Sequence, residues 1–365
     1  MAGSEVEVGA RQPDALRLER VVKRFGTTMV LDNVSLTVPG NEYVSLLGPS
    51  GSGKTVLLRV IAGFEQPEGG RVFVDGARID GLAPHRRGIG FVFQNFALFP
   101  HLNVHDNIAY GLAGQAPPAA AAVRTAVRDI VALVGLDGLE QRGVHQISGG
   151  QRQRVALART LVTEPRLVLL DEPLGALDAN LRARMRGELR AIRSQLGVTF
   201  LHVTGNETEA LAIGDRTIVL DRGRVAQFDT PDRVYHAPAS PDVARFLNSY
   251  NLFGGSLSGG RFNASCGSFA AVTAAVPCGH PTYAIRRDQV AIRPSDVQPA
   301  PGEAGVGARF VASEYSGPTI LYLFELSDRR VVEVEKHVSR MTPETLTPGQ
   351  DYRLVWKDTD ALVFG

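Results

Sequence analysis

Short apolar runs alternate with segments whose apolar residues recur at helical spacing between residues 15 and 246. Residues 43–47 predict a strand, and residues 56–62 after it predict the start of a helix. Residues 167–170 are continuously apolar, which is typical of a strand that is buried on both faces of a sheet. This alternation predicts an α/β domain with a mainly parallel sheet, preceded by a flexible lead over residues 1–14.

One stretch inside this domain has a different texture. Two prolines at 117 and 118 open an alanine-rich sequence that continues to residue 139. Val123, Val127, Ile130 and Val134 recur there at helical spacing. We therefore expect an inserted helical segment.

After residue 250 the pattern changes again, because glycine, proline and serine become frequent and the apolar runs become short. Strand-like runs are separated in several places by turn residues, as at 358–360. These runs cover residues 321–326, 331–336, 352–356 and 361–364. Residues 250–365 are therefore predicted to form a separate all-β domain.

Composition excludes several classes of protein. The 365 residues carry a formal net charge of +1, which argues against a broad surface for nucleic acid or anionic lipid. The two cysteines, Cys266 and Cys278, form no metal-ligand pattern. No run approaches the roughly 18 apolar residues of a membrane span, and the N-terminus lacks a signal-peptide core. We expect a protein on the cytoplasmic side of the membrane that associates with the bilayer through a partner.

The most specific motif is GPSGSGKT, which matches the GxxxxGK[ST] pattern of a phosphate-binding P-loop. It follows the predicted strand and precedes the predicted helix, so the backbone amides and the helix dipole can act on one anion. Lys54 is placed to contact the β- and γ-phosphates, and the Thr55 hydroxyl is placed to bind Mg²⁺. The predicted phosphate-binding residues are Gly48, Pro49, Ser50, Gly51, Ser52, Gly53, Lys54 and Thr55.

Polar residues elsewhere complete the predicted chemistry. The apolar run at 167–170 ends in Asp171 and Glu172, and a parallel strand delivers its last residues to the ligand edge of the sheet. Asp171 could bind the magnesium, and Glu172 could polarise an attacking water. Gln94 follows another apolar run and could meet both the metal and the water.

A second anion-binding helix end is predicted at ISGGQ, where Ser148, Gly149, Gly150 and Gln151 precede an amphipathic run. One nucleotide does not need two such ends, whereas a second copy of the chain would use the other. A plain helix cap is the alternative interpretation.

The ordered motifs GPSGSGKT, Gln94, ISGGQ, LVLLDEP and GALD resemble the ATPase subunit of an ABC transporter over about residues 15–246. The resemblance implies a head-to-tail dimer in which Ser148 to Gln151 and Asp178 meet the ATP bound by the opposite subunit. It also implies that Phe25 stacks on adenine, that ATP and Mg²⁺ are bound, and that residues 95–145 form a helical subdomain.

That subdomain would receive a transmembrane permease, which works with an extracytoplasmic substrate-binding protein. Phe96, Leu98, Phe99 and Pro100 either form part of the receiving surface or belong to the core. The C-terminal domain resembles the transport-associated OB-like domain of importer ATPases, with AIRPSDV at 291–297 as the matching segment. The combination is most similar to importers of the polyamine, opine, phosphonate and ferric-iron group.

The sequence departs from that family at two positions. Gly205 stands where the family has the switch histidine that contacts the γ-phosphate, and Val56 stands where it has serine or threonine. A lost neutral hydroxyl contact costs about 1 kcal/mol. A lost donor to developing charge can cost roughly 10²–10³ in rate. We therefore expect ATP binding and dimer closure to survive while hydrolysis is slow.

Two alternatives remain open at this stage. A hydrolysis-deficient regulatory subunit is favoured only by Gly205, since Lys54, Gln94, Asp171 and Glu172 are all present. A soluble ABC-type ATPase acting on nucleic acid is disfavoured by the tail, where residues 250–365 contain 11 Lys and Arg against 12 Asp and Glu. We expect no nucleic-acid partner.

Overall fold

A computed structural model describes residues 14–113, 120–175, 177–271, 279–340 and 344–365. Residue contacts divide the chain into one unit that ends at Val234 and a second that begins at Tyr235. The predicted flexible lead lies outside the described residues except for Asp14, which begins the first strand. The domain boundary expected between 246 and 250 stays a prediction.

The first unit alternates strands and helices along the chain. Its strands are β1 (Asp14–Phe25), β2 (Thr28–Pro39), β3 (Tyr43–Leu47), β4 (Gly69–Val74), β5 (Ala77–Arg78), β6 (Ile89–Val92), β7 (Leu167–Asp171), β8 (Thr199–Val203), β9 (Arg216–Asp221) and β10 (Arg224–Asp229). The helices up to the start of the second unit's strands are α1 (Lys54–Ala62), α2 (Val104–Ala109), α3 (Ala120–Leu133), α4 (Gly149–Leu161), α5 (Ala179–Leu196), α6 (Glu207–Ile213), α7 (Pro231–His236) and α8 (Pro241–Phe246).

A six-stranded sheet in the order β10-β9-β3-β8-β7-β6 forms the centre of this unit. Its pairs are parallel except for the antiparallel edge pair of β9 and β10. Every residue of β3 and β8 is buried, as is typical of strands covered on both faces. The predicted α/β fold class is confirmed.

One face of the central sheet packs against α1 and a second sheet, in a core that includes Leu57, Leu169 and Leu201. That second sheet is antiparallel, in the order β2-β1-β4-β5, and the sequence pattern did not separate it from the central one. Strand β1 contains several register shifts, which interrupt the two-residue alternation that would have revealed it.

The opposite face is covered by helices in a second core cluster. The predicted inserted helix is found as α3, where Val127, Ile130 and Val131 are buried, and it packs with α2 and α4. Residues 114–119, which include the two prolines, lie outside the described residues.

The second unit consists of antiparallel sheets, as expected for an all-β domain. Its strands are β11 (Tyr250–Ser258), β12 (Arg261–Ala264), β13 (Gly267–Ala270), β14 (Thr282–Arg286), β15 (Ala291–Pro294), β16 (Glu303–Tyr315), β17 (Thr319–Leu326), β18 (Val331–His337), β19 (Asp351–Lys357) and β20 (Leu362–Phe364).

They form two five-stranded sheets, β13-β12-β11-β14-β20 and β15-β19-β16-β17-β18. An aromatic cluster of Phe253, Phe269, Tyr283 and Trp356 forms the centre of the core, and the Trp356 indole donates to the Tyr283 hydroxyl at 2.9 Å. In the part of the chain that the structure describes, no helix is long and apolar enough to cross a bilayer.

Candidate nucleotide site

Four parallel strands bring the predicted site residues to one edge of the central sheet. Strand β3 leads into the P-loop, β6 into Gln94, β7 into Asp171 and Glu172, and β8 into Gly205. Because the carboxyl ends of parallel strands lie at the same edge, residues far apart in sequence meet there. The contact between Gln94 and Glu172 confirms this directly, since Gln94 Nε2 donates to Glu172 Oε2 at 3.1 Å.

The P-loop backbone needs glycine for steric reasons. A Cβ atom on Gly48 would lie 2.1 Å from the Leu220 carbonyl oxygen. Gly53 caps α1 with a φ of 101°, a left-handed conformation that favours glycine, and a Cβ there would lie 2.8 Å from the Val30 carbonyl oxygen. The loop therefore passes close to the neighbouring strands. It leads into the N-terminus of α1, which is the end of a helix that binds phosphate.

The remaining P-loop residues differ in how far their side chains can reach a ligand. Ser50 and Gly51 are exposed, and Pro49 accepts a backbone hydrogen bond from Ser52 at 3.2 Å. Ser52 is buried, and its hydroxyl oxygen lies 2.8 Å from where a Gly48 Cβ would be. The Ser52 side chain thus packs inside the loop.

Lys54 is buried at the first position of α1. Its Nζ donates to the carbonyl oxygens of Gly48 at 2.7 Å and Pro49 at 2.9 Å. Burial lowers the pKa of the Lys54 ammonium group, and the Glu172 carboxylate opposes that change. The ammonium group is held over the loop, at the place where triphosphate charge would gather.

Thr55 and Asp171 supply the oxygens that a magnesium ion would need. The Thr55 hydroxyl at the start of α1 hydrogen-bonds the Asp171 carboxylate at the end of β7. Burial raises the pKa of Asp171, and the adjacent Glu172 raises it further. A hydroxyl and a carboxylate side by side are oxygen ligands of the kind that Mg²⁺ prefers.

Glu172 is held in an unusual backbone conformation. Its φ is 45°, and its amide donates to the Val203 carbonyl oxygen at 3.0 Å. A non-glycine residue in this region is uncommon and is often found at functional sites. The turn directs the Glu172 carboxylate to Gln94 at the edge of the sheet.

Ser148 caps α4 in a reciprocal capping box with Gln151. The Gln151 amide donates to Ser148 Oγ at 3.3 Å, and the Ser148 amide donates to Gln151 Oε1 at 2.8 Å. Gly149 is exposed, whereas a Cβ on Gly150 would lie 3.2 Å from a Leu181 methyl group. The plain-cap interpretation and a role toward a second subunit are thus compatible, because a cap leaves the other amides of the first turn available.

Two further predicted residues are exposed. Asp178 caps α5, with its carboxylate accepting from the Leu181 amide at 2.9 Å. Ala176, within the GALD motif, lies outside the described residues. Phe25 ends β1 with 47% of its surface exposed, and Lys23 Nζ lies 4.9 Å from its ring centroid. An exposed aromatic face is available for stacking, and no described contact joins it to the P-loop.

The predicted permease-facing segment is divided between core and surface. Phe96 and Leu98 are partly buried against the helical core, whereas Pro100 is exposed. The Phe99 ring lies 4.3 Å from the ring of Tyr110, which is 53% exposed. Part of the segment packs inward and part remains available to a partner.

Gly205 has neither a side chain nor a neighbour that substitutes for one. It is exposed after β8, and a Cβ there would meet nothing within 4 Å. His202 is fully buried on β8, with Nδ1 3.0 Å from the Tyr43 hydroxyl and Nε2 2.9 Å from Glu209 Oε1. Both of its ring nitrogens face these buried partners, so His202 cannot reach the place that Gly205 leaves open.

Val56 follows Thr55 and is partly buried, and it packs against the core between α1 and the sheets. Its side chain contributes packing and no hydrogen-bond donor.

Sequence reasoning missed Arg87, a buried residue that supports the P-loop helix from below. Its guanidinium group donates to four carbonyl oxygens, two of them at the C-terminal end of α1. Only its buried neighbours distinguish Arg87 from the exposed Arg86 beside it. No local pattern could have found it.

Comparison with known proteins places this geometry in a family. A family described as ABC transporter matches residues 31–175, and one described as TOBE domain matches residues 290–364. The sulfate/thiosulfate import ATP-binding protein of Xanthomonas campestris pv. campestris is 42% identical over 342 residues, which cover 93% of this chain and 96% of that protein. The spermidine/putrescine import ATP-binding protein of Rubrobacter xylanophilus is 39% identical, with coverage of 99% and 97%.

A solved structure agrees with these relatives. A dimeric ATP-binding cassette in a post-hydrolysis state, bound to ADP and phosphate, aligns with a TM-score of 0.53 and 31% identity. The alignment covers 59% of this chain and 98% of that one. With an identity of 42% over 93% of its length to an import ATP-binding protein, this chain belongs to the ATP-binding subunits of ABC importers.

Proposed function

We propose that two copies of this chain close head to tail around two ATP molecules and thereby drive a membrane permease. The observation that carries the proposal is the single sheet edge that gathers the P-loop, Gln94, Asp171 and Glu172. The dimeric cassette of known structure and the import functions of the two relatives support it.

Each residue then has a defined task at that edge. The P-loop amides and Lys54 bind the phosphates, and Thr55 with Asp171 would hold Mg²⁺. When bound, the metal neutralises charge on the phosphate oxygens. Glu172 orients and polarises the attacking water, and Gln94 fixes its carboxylate by the hydrogen bond described above.

The opposite subunit would complete the site. Ser148, Gly149, Gly150 and Gln151 would present their amides and side chains to the triphosphate, and Asp178 would connect the two sites. The Ser148 hydroxyl can donate to a phosphate oxygen while its oxygen still accepts from the Gln151 amide. The new bond would be charge-assisted, because its acceptor is an anion.

We propose that hydrolysis is slow because Gly205 has no side chain that could donate a hydrogen bond to the γ-phosphate. Asn206 does not replace it, because its side-chain oxygen accepts from the Glu209 amide at 2.8 Å to cap α6. Restoring the donor is sterically possible, since no atom lies within 4 Å of a Cβ at Gly205. The loss of a positioned donor corresponds to roughly 10²–10³ in rate.

The test is steady-state ATPase of full-length Gly205→His against the wild-type protein, reconstituted with its permease. We expect a rise in kcat of roughly 10²-fold with little change in KM, because the donor acts on developing charge. Gly187→His is the matched control: Gly187 lies exposed on α5 and its Cβ position is equally open. Adding Glu172→Gln to Gly205→His should remove the gain.

The same experiment separates the alternatives. An unchanged rate in Gly205→His, with ATP still bound, would show that Gly205 is not the limiting defect and would favour a regulatory subunit. A wild-type rate already typical of a fast transport ATPase would refute the slow-hydrolysis proposal while leaving the import function in place.

We further propose that the protein is peripheral on the cytoplasmic side of the membrane, held there by its permease. The mixed segment around Phe99 and Tyr110 is the proposed contact, since its exposed aromatic surface suits a partner helix. Selection of the substrate would belong to the permease and an extracytoplasmic binding protein. The two relatives import different substrates, a sulfur oxyanion and a polyamine, with ATPase subunits of similar identity to this chain.

A further inference from the structure

Lys23 and Phe25 lie in contact at the end of β1. The Lys23 ammonium nitrogen is 4.9 Å from the centre of the Phe25 ring, which is within the range of a cation–π interaction. Phe25 is 47% exposed, because β1 ends there and a turn at Gly26 and Thr27 follows. One face of the ring is therefore covered by a cation, and the opposite face is open to a ligand.

The Lys23 side chain is itself held in one place. It is only 12% exposed, and its ammonium group pairs with Glu65 Oε2 at 3.1 Å. The same group donates to the Gln66 carbonyl oxygen at 3.0 Å. An unrestrained lysine side chain samples many rotamers, so these contacts define where its charge lies.

The anchors of Lys23 belong to the segment that follows α1. The Glu65 amide donates at 3.2 Å to the carbonyl oxygen of Arg59, in the last turn of that helix. The first turn of the same helix contains Lys54 and Thr55, to which the proposed function assigns the phosphates and Mg²⁺. Lys23 therefore connects the exposed ring to the helix that carries the phosphate-binding residues.

The orientation of the Phe25 ring matters for a base that stacks on it. Stacking depends on how the planes of the two rings face each other. A ring that rotates freely must be ordered when the ligand binds, and this ordering reduces affinity. A cation held over one face of Phe25 restrains the ring before the ligand arrives and leaves the other face for the base.

We infer that Lys23 is a positioning residue for the base of the nucleotide. It holds the Phe25 ring ready for stacking and fixes the ring relative to α1. The inference rests on the proposed ATP site, and it extends that site to a residue that acts through Phe25. An ion pair between Lys23 and Glu65 that served stability alone would not distinguish a nucleotide from its bare phosphates.

The test is calorimetric titration of the full-length protein with ADP and, separately, with inorganic pyrophosphate, both in the presence of Mg²⁺. The probes share a diphosphate group and differ in the adenosine, and ADP has no γ-phosphate whose hydrolysis would disturb the titration. We expect Lys23→Met to weaken ADP binding about 3-fold and to leave pyrophosphate binding unchanged, because a partly exposed cation–π contact is lost. Phe25→Ala should weaken ADP binding by itself, and adding Lys23→Met to it should have no further effect.

Three variants serve as controls. Arg24→Met removes the same charge from the adjacent, exposed position and should bind both probes as the wild-type protein does. Lys23→Arg keeps a cation that can lie over the ring, so it should retain wild-type affinity for ADP. Lys23→Gln keeps a donor for the Gln66 carbonyl oxygen and should show the same 3-fold loss, so it replaces Lys23→Met if that variant unfolds.

Several outcomes would overturn the inference. Equal losses for ADP and pyrophosphate in Lys23→Met, or a loss that persists in the Phe25→Ala background, would show that Lys23 acts through its charge or through the fold. Unchanged ADP binding in Lys23→Met would show that the ring needs no restraint. If Phe25→Ala alone leaves ADP binding unchanged, Phe25 is not part of the site and the inference falls with it. Failure of the wild-type protein to bind either probe would instead refute the proposed ATP site itself.

Discussion

Replacement of Arg87 by methionine tests whether a single buried cation holds the P-loop helix in place. Arg87 is 3% exposed. Its Nη1 donates to the carbonyl oxygens of Val60 and Ile61 at 2.9 Å each, Nε to Leu82 at 3.0 Å, and Nη2 to Asp80 at 3.1 Å. Methionine keeps the length of the apolar stem and removes all four donors.

The magnitude follows from what those acceptors lose. The Val60 oxygen also accepts from the Gly63 amide at 3.3 Å, so it keeps a partner. The Ile61 oxygen has none among the described residues, and the other two lie in partly buried surroundings. At about 1–3 kcal/mol for each buried acceptor left unsatisfied, partly offset by the cost of burying the charge, we expect a loss of about 3 kcal/mol.

Differential scanning calorimetry measures this loss. The two units need not unfold together, so the relevant transition is the one whose Tm rises with added ATP. For a unit of this size, 3 kcal/mol corresponds to a lower Tm by about 6–12 °C. We also expect weaker ATP binding, because Lys54 and Thr55 lie on the helix that Arg87 holds.

The adjacent Arg86 provides the control. It is exposed, and its side chain makes no ion pair or hydrogen bond among the described residues, so Arg86→Met should leave that transition unchanged. Burial lowers the pKa of the Arg87 guanidinium, which remains charged at any pH used for such a scan. If Arg87→Met melts within about 1 °C of Arg86→Met, the four bonds do not stabilise the unit and the reasoning fails.

Two further substitutions test the nucleotide site. Val56→Thr restores a hydroxyl and should tighten ATP binding about 5-fold, which corresponds to about 1 kcal/mol. Equilibrium titration measures the affinity, and Val56→Ala should not tighten binding. Equal affinities of the Val56→Thr and wild-type proteins would show that the hydroxyl has no partner there. Asp171→Asn should raise the Tm of the nucleotide-free protein at neutral pH. Burial, and after it the neighbouring Glu172, raises the pKa of Asp171 in the folded protein. The ionised carboxylate therefore lowers stability at any pH above the pKa of the folded state. This loss of stability disappears as the pH falls through the pKa of the folded state, so the gain in Tm from Asp171→Asn should shrink in acid. The variant should also lose the stabilisation that Mg²⁺ adds to ATP binding. An unchanged Tm would show that the ionised Asp171 does not lower stability.

Some features of the fold could be predicted locally, and others could not. Residues 167–170 are continuously apolar, which is typical of a strand buried on both faces, and all four are buried in β7. The antiparallel sheet of β1, β2, β4 and β5 was missed, because register shifts in β1 break the alternation that marks such a strand.

The sequence by itself determined the phosphate cradle, the acidic strand end and the capped helix at Ser148, because each depends on neighbouring residues and on backbone conformations that few residue types adopt. It also determined that position 205 has no side-chain hydrogen-bond donor, because packing cannot give a glycine a side chain. Only the tertiary structure decided that Gln94 meets Glu172, that His202 is enclosed in the core, and that Arg87 supports α1. Those contacts join residues distant in the chain, and their partners are set by which strands lie side by side and which faces they bury.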